Sequence, residues 1–108
     1  MPPRLGDLEQ LVLLALLRLG SEGYGVVVQR EITARTGRTL SFATVYTTLN
    51  RLETKGLVSS RLGEATAERG GRRKTYFSVS RQGREAVREA LRAIRTMTRG
   101  LGAAWEMP

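Results

Sequence analysis

A helix with almost no polar face is the tightest constraint on how this chain folds. Leu8, Leu11, Val12, Leu13, Leu14, Ala15, Leu16 and Leu17 crowd between Asp7 and Leu19. A helix apolar all round must be covered on more than one side. A bilayer is not the cover, because a span needs about 20 apolar residues. Asp7 and Glu9 also stand in front of the run, where a secretory signal would carry basic residues. The cover is therefore protein: either the core of a monomer or a second subunit. In a chain of 108 residues a second subunit is a natural candidate. The expectation is a soluble cytoplasmic protein without a membrane anchor.

Cysteine and histidine are both absent, which removes disulfides, thiolate metal sites and the usual general base. An enzyme would have to work with ten scattered carboxylates and a few hydroxyls. No nucleophile–base pair or metal cluster can be assembled from these, so no catalytic residue, cofactor or metal is expected.

The rest of the chain reads as helix, helix, hairpin, helix. For the first helix, Asp7 with Gln10 resembles a capping box and Gly20 closes it. A second helix is expected from about Tyr24 to Thr36, stopping at Gly37, with Val28 and Ile32 inward. A third begins after Ser41, a good N-cap, and runs to about Lys55 before Gly56. Leu40 and Val45 sit where a hydrophobic staple places its pair. Val45, Leu49 and Leu52 form a narrow apolar stripe. Leu57–Leu62 and Lys74–Val79 read as strands, the latter with Thr75, Phe77 and Val79 on one side. The tip between them, residues 63–73, contains Gly70-Gly71. A last helix extends from Ser80 to about Leu101, with Gly83 weakening its first turn. Val87, Ile94 and Leu101 recur at seven-residue steps, as in a short coiled-coil seam. The tail from Gly102 is expected to be loose, although Trp105 continues the spacing. The fold class is mainly α with a small β-hairpin: a winged helix-turn-helix over residues 1–79 and a dimerisation helix with tail over 80–108.

Charge then points to a partner. The formal net charge is +8, unevenly spread. Residues 1–37 carry four Arg against four acids, whereas residues 61–84 carry seven basic residues against two acids. Such a patch suits a polyanion, although a merely solvated basic face has the same composition. At 100° per residue, Ala43, Thr44, Thr47, Asn50 and Arg51 fall opposite the apolar stripe of the third helix, with no carboxylate among them. A helix of that kind fits the major groove, where Thr and Arg can reach base edges. Threonine is a poor helix former, so four of them within residues 44–54 need a reason beyond solvent exposure. Arg72, Arg73 and Lys74 follow a Gly-Gly turn that can project them to phosphates or the minor groove. Gly-Gly followed by basic residues lacks the spacing of a phosphate-binding loop. The DNA-binding set is Tyr24, Ser41, Ala43, Thr44, Tyr46, Thr47, Arg51, Arg72, Arg73 and Lys74, on double-stranded DNA.

These residues carry a family resemblance. Gly23-Tyr24-Gly25, Thr44-Val45-Tyr46 with Leu49, Arg51-Leu52-Glu53, Gly56-Leu57-Val58, Gly70–Phe77, and Ser80 with Gly83 stand in the order found in PadR-like transcriptional regulators. The chain resembles their short form, with a single C-terminal helix, over about residues 8 to 95. The resemblance implies a winged-helix repressor, a homodimer clamped by the first and last helices, and a pseudo-palindromic operator. It also implies that a small-molecule effector can relieve repression. Two departures stand out. Thr47 follows Tyr46 where a Pro is common. Ile94 stands where some drug-sensing relatives carry a Trp that stacks on flat ligands, so that ligand class is not carried over.

The expected dimer seam is Leu5, Leu8, Val87, Leu91, Ile94 and Leu101. An effector pocket would be lined by Leu11, Ala15, Val87, Ile94 and Met97, although core packing accounts for the same residues. Two rivals remain. A winged-helix protein-binding module would need no Arg cluster. An RNA-binding winged helix would want exposed aromatics, which are scarce at 6%.

Overall fold

A computed structural model describes residues 4–64 and 73–105. Four helices and a hairpin follow one another: α1 (Asp7–Leu19), α2 (Gly25–Thr36), α3 (Phe42–Thr54), β1 (Val58–Leu62), β2 (Thr75–Val79) and α4 (Arg81–Thr98). Single 3₁₀ turns occupy Gly20–Glu22 and Gly102–Trp105. The latter orders the first part of the tail expected to be loose, and residues 106–108 of that tail lie outside the described residues.

Local chemistry accounts for most helix starts. Ser41 caps α3, its Oγ accepting from the Thr44 N–H at 3.1 Å. Ser80 caps α4 in the same way, accepting from the Gly83 N–H at 3.0 Å. The start of α1 differs from the expected Asp7–Gln10 box. Gly6 is the N-cap, and its N–H donates to Glu9 Oε1 at 2.7 Å. Asp7 is thereby free to pair with Arg38 across the α2–α3 turn at 2.8 Å. Glycine offers no side-chain oxygen, so only half of a capping box forms.

The core draws on every element. Val12, Leu13, Ala15 and Leu16 meet Val28 and Ile32 of α2 and Val45, Leu49 and Leu52 of α3. Leu57, Val58, Phe77, Ala86 and Val87 close the other side. Hence the first turns of α4 belong to the same core as the three helices before it. The hairpin pairs antiparallel, Val58 opposite Val79 through Leu62 opposite Thr75. Phe77 faces inward as its alternation predicted.

Gly83 is not a weak point in α4 but a contact. A Cβ at this position would lie 2.1 Å from the Leu57 carbonyl oxygen, so only glycine lets α4 settle against the hairpin base. Beyond Leu91 the helix leaves the body. The molecule measures 57 × 33 × 20 Å, with a radius of gyration of 16.1 Å. A compact chain of this length would have about 13 Å. No helix among the described residues is long and apolar enough to cross a membrane.

Candidate nucleic-acid interface

The α2–α3 pair meets across the five residues Gly37–Ser41 and is locked from both ends. Gln29 Nε2 donates to the Leu40 carbonyl at 2.6 Å, and Thr33 Oγ1 to the Arg38 carbonyl at 2.9 Å. At the other end the Phe42 ring presses on Gly25, where a Cβ would stand 2.7 Å from it. That contact explains the second glycine of Gly23-Tyr24-Gly25.

On α3, Val45, Thr48, Leu49 and Leu52 turn inward, while Ser41, Ala43, Thr44, Thr47, Asn50 and Arg51 are exposed. The outward set therefore shares one face and includes no acid. Glu53 is held off it by a hydrogen bond from Ser60 Oγ on β1. The threonines divide by role. Thr48 is buried and donates to the Thr44 carbonyl at 2.8 Å; Thr54 donates to Asn50 at 3.1 Å; Thr44 Oγ1 lies 2.8 Å from Ser41 Oγ. Part of the threonine excess is thus internal bonding, and Thr47 is the one whose hydroxyl has no such bond among the described residues.

Sequence reasoning missed that this face forms one wall of a groove. Ala43, Thr44, Thr47, Thr48 and Arg51 face Gly6, Leu8 and Glu9 from the start of α1, around about 360 Å³. Glu9 is only 6% exposed and takes Lys55 Nζ at 2.7 Å. Glu9 stands in the first turn of α1, where an acid is ordinary, so neither its burial nor its partner far along the chain is marked in the sequence.

The hairpin is tied to α2 rather than free to swing. Phe77 N–H donates to the Gly23 carbonyl at 2.7 Å, and Tyr24 bridges Tyr76, so residues 23–24 extend the sheet by one short step. Around that bridge cations and rings alternate. The Arg61 guanidinium lies 4.5 Å above the Tyr76 ring, Tyr76 meets Tyr24 edge-on at 5.5 Å, and Lys74 Nζ sits 4.7 Å above Tyr24. Tyr46 joins α3 to this wing through Phe77, 6.5 Å away and edge-on. Tyr24 and Tyr46 thus have packing roles whatever their hydroxyls touch. Arg73 and Lys74 are exposed at the wing's base. Arg72 and the Gly70-Gly71 turn lie outside the described residues.

The remaining expected residues divide cleanly. Leu5, Leu8 and Leu91 are half-buried and Val87 is buried, whereas Ile94, Met97 and Leu101 are exposed at 56%, 77% and 38%. Leu11 and Ala15 do line a cleft, of about 140 Å³, but its other wall is Ile32, Arg35 and Thr36 of α2. Val87, Ile94 and Met97 of α4 do not border it.

This geometry has known counterparts. The family model described as the PadR-like transcriptional regulators matches residues 13–89. Among solved structures, a PadR family transcription regulator from hypervirulent Clostridium difficile R20291 superposes with a TM-score of 0.73. It is 20% identical, over 93% of this chain and 99% of that one. A transcriptional regulator from Clostridium thermocellum gives 0.71 at 22% identity, over 87% and 88% of the two chains. A PadR family transcriptional regulator from Eggerthella lenta DSM 2243 gives 0.66 at 26% identity, over 94% and 88%. No curated protein matches the sequence. With a winged helix-turn-helix in place and the family match spanning most of it, the chain belongs to the PadR-like family of transcriptional regulators.

Proposed function

We propose that the protein binds double-stranded DNA as a homodimer and represses transcription from a pseudo-palindromic operator. One observation carries the reading: the outward face of α3 is free of acids and lies beside a hairpin whose exposed base carries Arg73 and Lys74. On this reading Thr44, Thr47 and Arg51 meet base edges. Ser41 and Ala43 lie at the helix N-terminus, whose dipole favours phosphate. Arg72, Arg73 and Lys74 grip backbone, with the Tyr24 and Tyr46 hydroxyls beside them.

Dimerisation is supported by what α4 leaves uncovered. Covering Ile94, Met97 and Leu101 would gain about 1.5–3 kcal/mol per fully buried side chain. Leu5, Leu8 and Leu91, half-buried in one chain, continue the seam towards the body, whereas Val87 is already covered by its own chain and leaves a partner nothing to touch. Residues 80–108 thus serve as the pairing arm and 1–79 as the reading unit. The outer side of α1, with Leu11 and Leu14 half-buried and Leu17 40% exposed, gives a partner a second surface. A two-fold dimer would set its reading helices about 34 Å apart, one helical turn of DNA.

Relief by a small-molecule effector is a second reading, favoured by the cleft that Leu11 and Ala15 form with α2. Footprinting on the DNA upstream of the protein's own gene tests the main proposal. It should protect two half-sites about 10 base pairs apart, on a species with twice the chain mass. A single protected half-site, or protection indifferent to sequence, would overturn it.

A further inference from the structure

Glu9 is the only charged side chain buried among the described residues. An isolated buried carboxylate is costly, so its partners say what it is for. It accepts the Gly6 N–H at 2.7 Å through Oε1 and Lys55 Nζ at 2.7 Å through Oε2. Lys55 in turn donates to the Arg4 carbonyl at 3.3 Å. Lys55 is the C-cap of α3, so this one acid joins the start of α1 to the exit of the reading helix.

Arg51 precedes Lys55 by four residues and shares its side of the helix. It lines the groove that Glu9 lines, yet it forms no ion pair with Glu9 among the described residues. The two charges still feel each other. Burial pushes the Glu9 pKa up, but the Lys55 hydrogen bond, the Gly6 amide and the charges of Lys55 and Arg51 together lower it. The carboxylate is therefore ionised at neutral pH, with one cation fixed on it and a second attracted but unbonded.

An Arg that must find a base edge gives up about 2 kcal/mol of rotamer freedom when it is fixed. A nearby fixed charge that already restrains it reduces that loss, which is how preorganisation raises affinity. On the reading that α3 meets bases, we infer that Glu9 is a positioning residue: it keeps Lys55 off the DNA and holds Arg51 on the groove side of α3, aimed at base edges. Part of the sequence preference is then set from α1 by a side chain that touches no DNA. Because α1 also carries the uncovered apolar surface, whatever shifts α1 also shifts the aim of Arg51.

A double-mutant cycle tests this. Wild type, Glu9→Gln, Arg51→Ala and the double variant are titrated against the operator and against operators altered one base pair at a time. Glu9→Gln should reduce preference about twofold or more, the lower end of couplings between neighbours, only at the base pair that Arg51→Ala ceases to distinguish. Its salt slope should equal that of wild type, since no phosphate contact is lost. In the Arg51→Ala background it should cost nothing further. Equal loss on all sequences, or the same loss in both backgrounds, would make Glu9 a purely structural ion pair and overturn the inference. So would the absence of any base pair that depends on Arg51. If Glu9→Gln folds poorly, Glu9→Asp keeps the charge and should keep the preference; its loss there would also overturn the inference. A wild-type protein indifferent to operator sequence would instead overturn the underlying DNA-reading proposal.

Discussion

Replacing Gly83 with alanine sets local propensity against tertiary packing, because the two predict opposite signs. Alanine is favoured over glycine by roughly 0.8–1.0 kcal/mol in a helix interior and by at most that in a first turn such as Gly83 occupies, so the sequence viewed locally predicts stabilisation. In the folded chain the new Cβ would meet the Leu57 carbonyl oxygen at 2.1 Å, Val79 Cγ1 at 2.8 Å and the Leu57 carbonyl carbon at 3.1 Å. The oxygen cannot rotate away. It belongs to the backbone entering β1 and accepts the Ser80 N–H at 2.9 Å. A relaxed carbon–oxygen contact is about 3.3 Å, so α4 would have to lift off the hairpin by about 1 Å. Overpacking costs about 1–3 kcal/mol, and an immovable neighbour places this site at the upper end. Less the propensity gain, the net loss is about 2 kcal/mol. For a domain of this size that is a fall in Tm of about 8–16 °C. Thermal melts followed by circular dichroism measure it, with both proteins at one concentration because pairing makes Tm concentration-dependent. An unchanged or raised Tm would refute the close docking of α4 on Leu57.

Three further outcomes are expected. Arg73→Ala should weaken binding to specific and random DNA alike and flatten the salt slope by about one unit, as titrations across a salt series would record; an unchanged slope removes Arg73 from the interface. Met97→Asp should leave the fold within about 0.5 kcal/mol, because the side chain is 77% exposed in one chain, yet drive the protein to monomers in sedimentation; a persisting dimer would exclude this stretch from the seam. The third concerns acid. Because the folded-state pKa of Glu9 is lowered, its contribution to stability is complete above the ordinary carboxylate range and lost as pH falls through the lowered value. Tm against pH should therefore have a shallower acid limb in Glu9→Gln than in wild type, and superimposable limbs would count against the Lys55 pairing.

What could be read from the chain was whatever depends on neighbours in sequence. The apolar run fixed α1 between Asp7 and Leu19, and Ser41 and Ser80 marked their helices because a cap needs only the next three residues. The alternation of Thr75, Phe77 and Val79 exposed the inner face of β2. The acid-free face of α3 followed from helical angle alone. What stayed hidden depends on distant partners. Gly83 reads as a flaw until Leu57 is beside it. Asp7 reads as a cap until Arg38 appears across the turn and Glu9 takes the Gly6 amide. The Arg61–Tyr76–Tyr24–Lys74 stack joins residues from the hairpin and from the start of α2, and no periodicity connects them. The cleft at Leu11 and Ala15 turned to α2 rather than α4 because α4 departs from the body after Leu91, which no spacing rule foretells.

The account depends most on α3 reading base sequence while the wing holds backbone. Titrating the wild-type protein against its own upstream DNA and a scrambled duplex of equal length, at two salt concentrations, examines that directly. Specific affinity should exceed random affinity by about 10³ or more, with both falling as salt rises. Equal affinity for the two duplexes at both salt concentrations would contradict it.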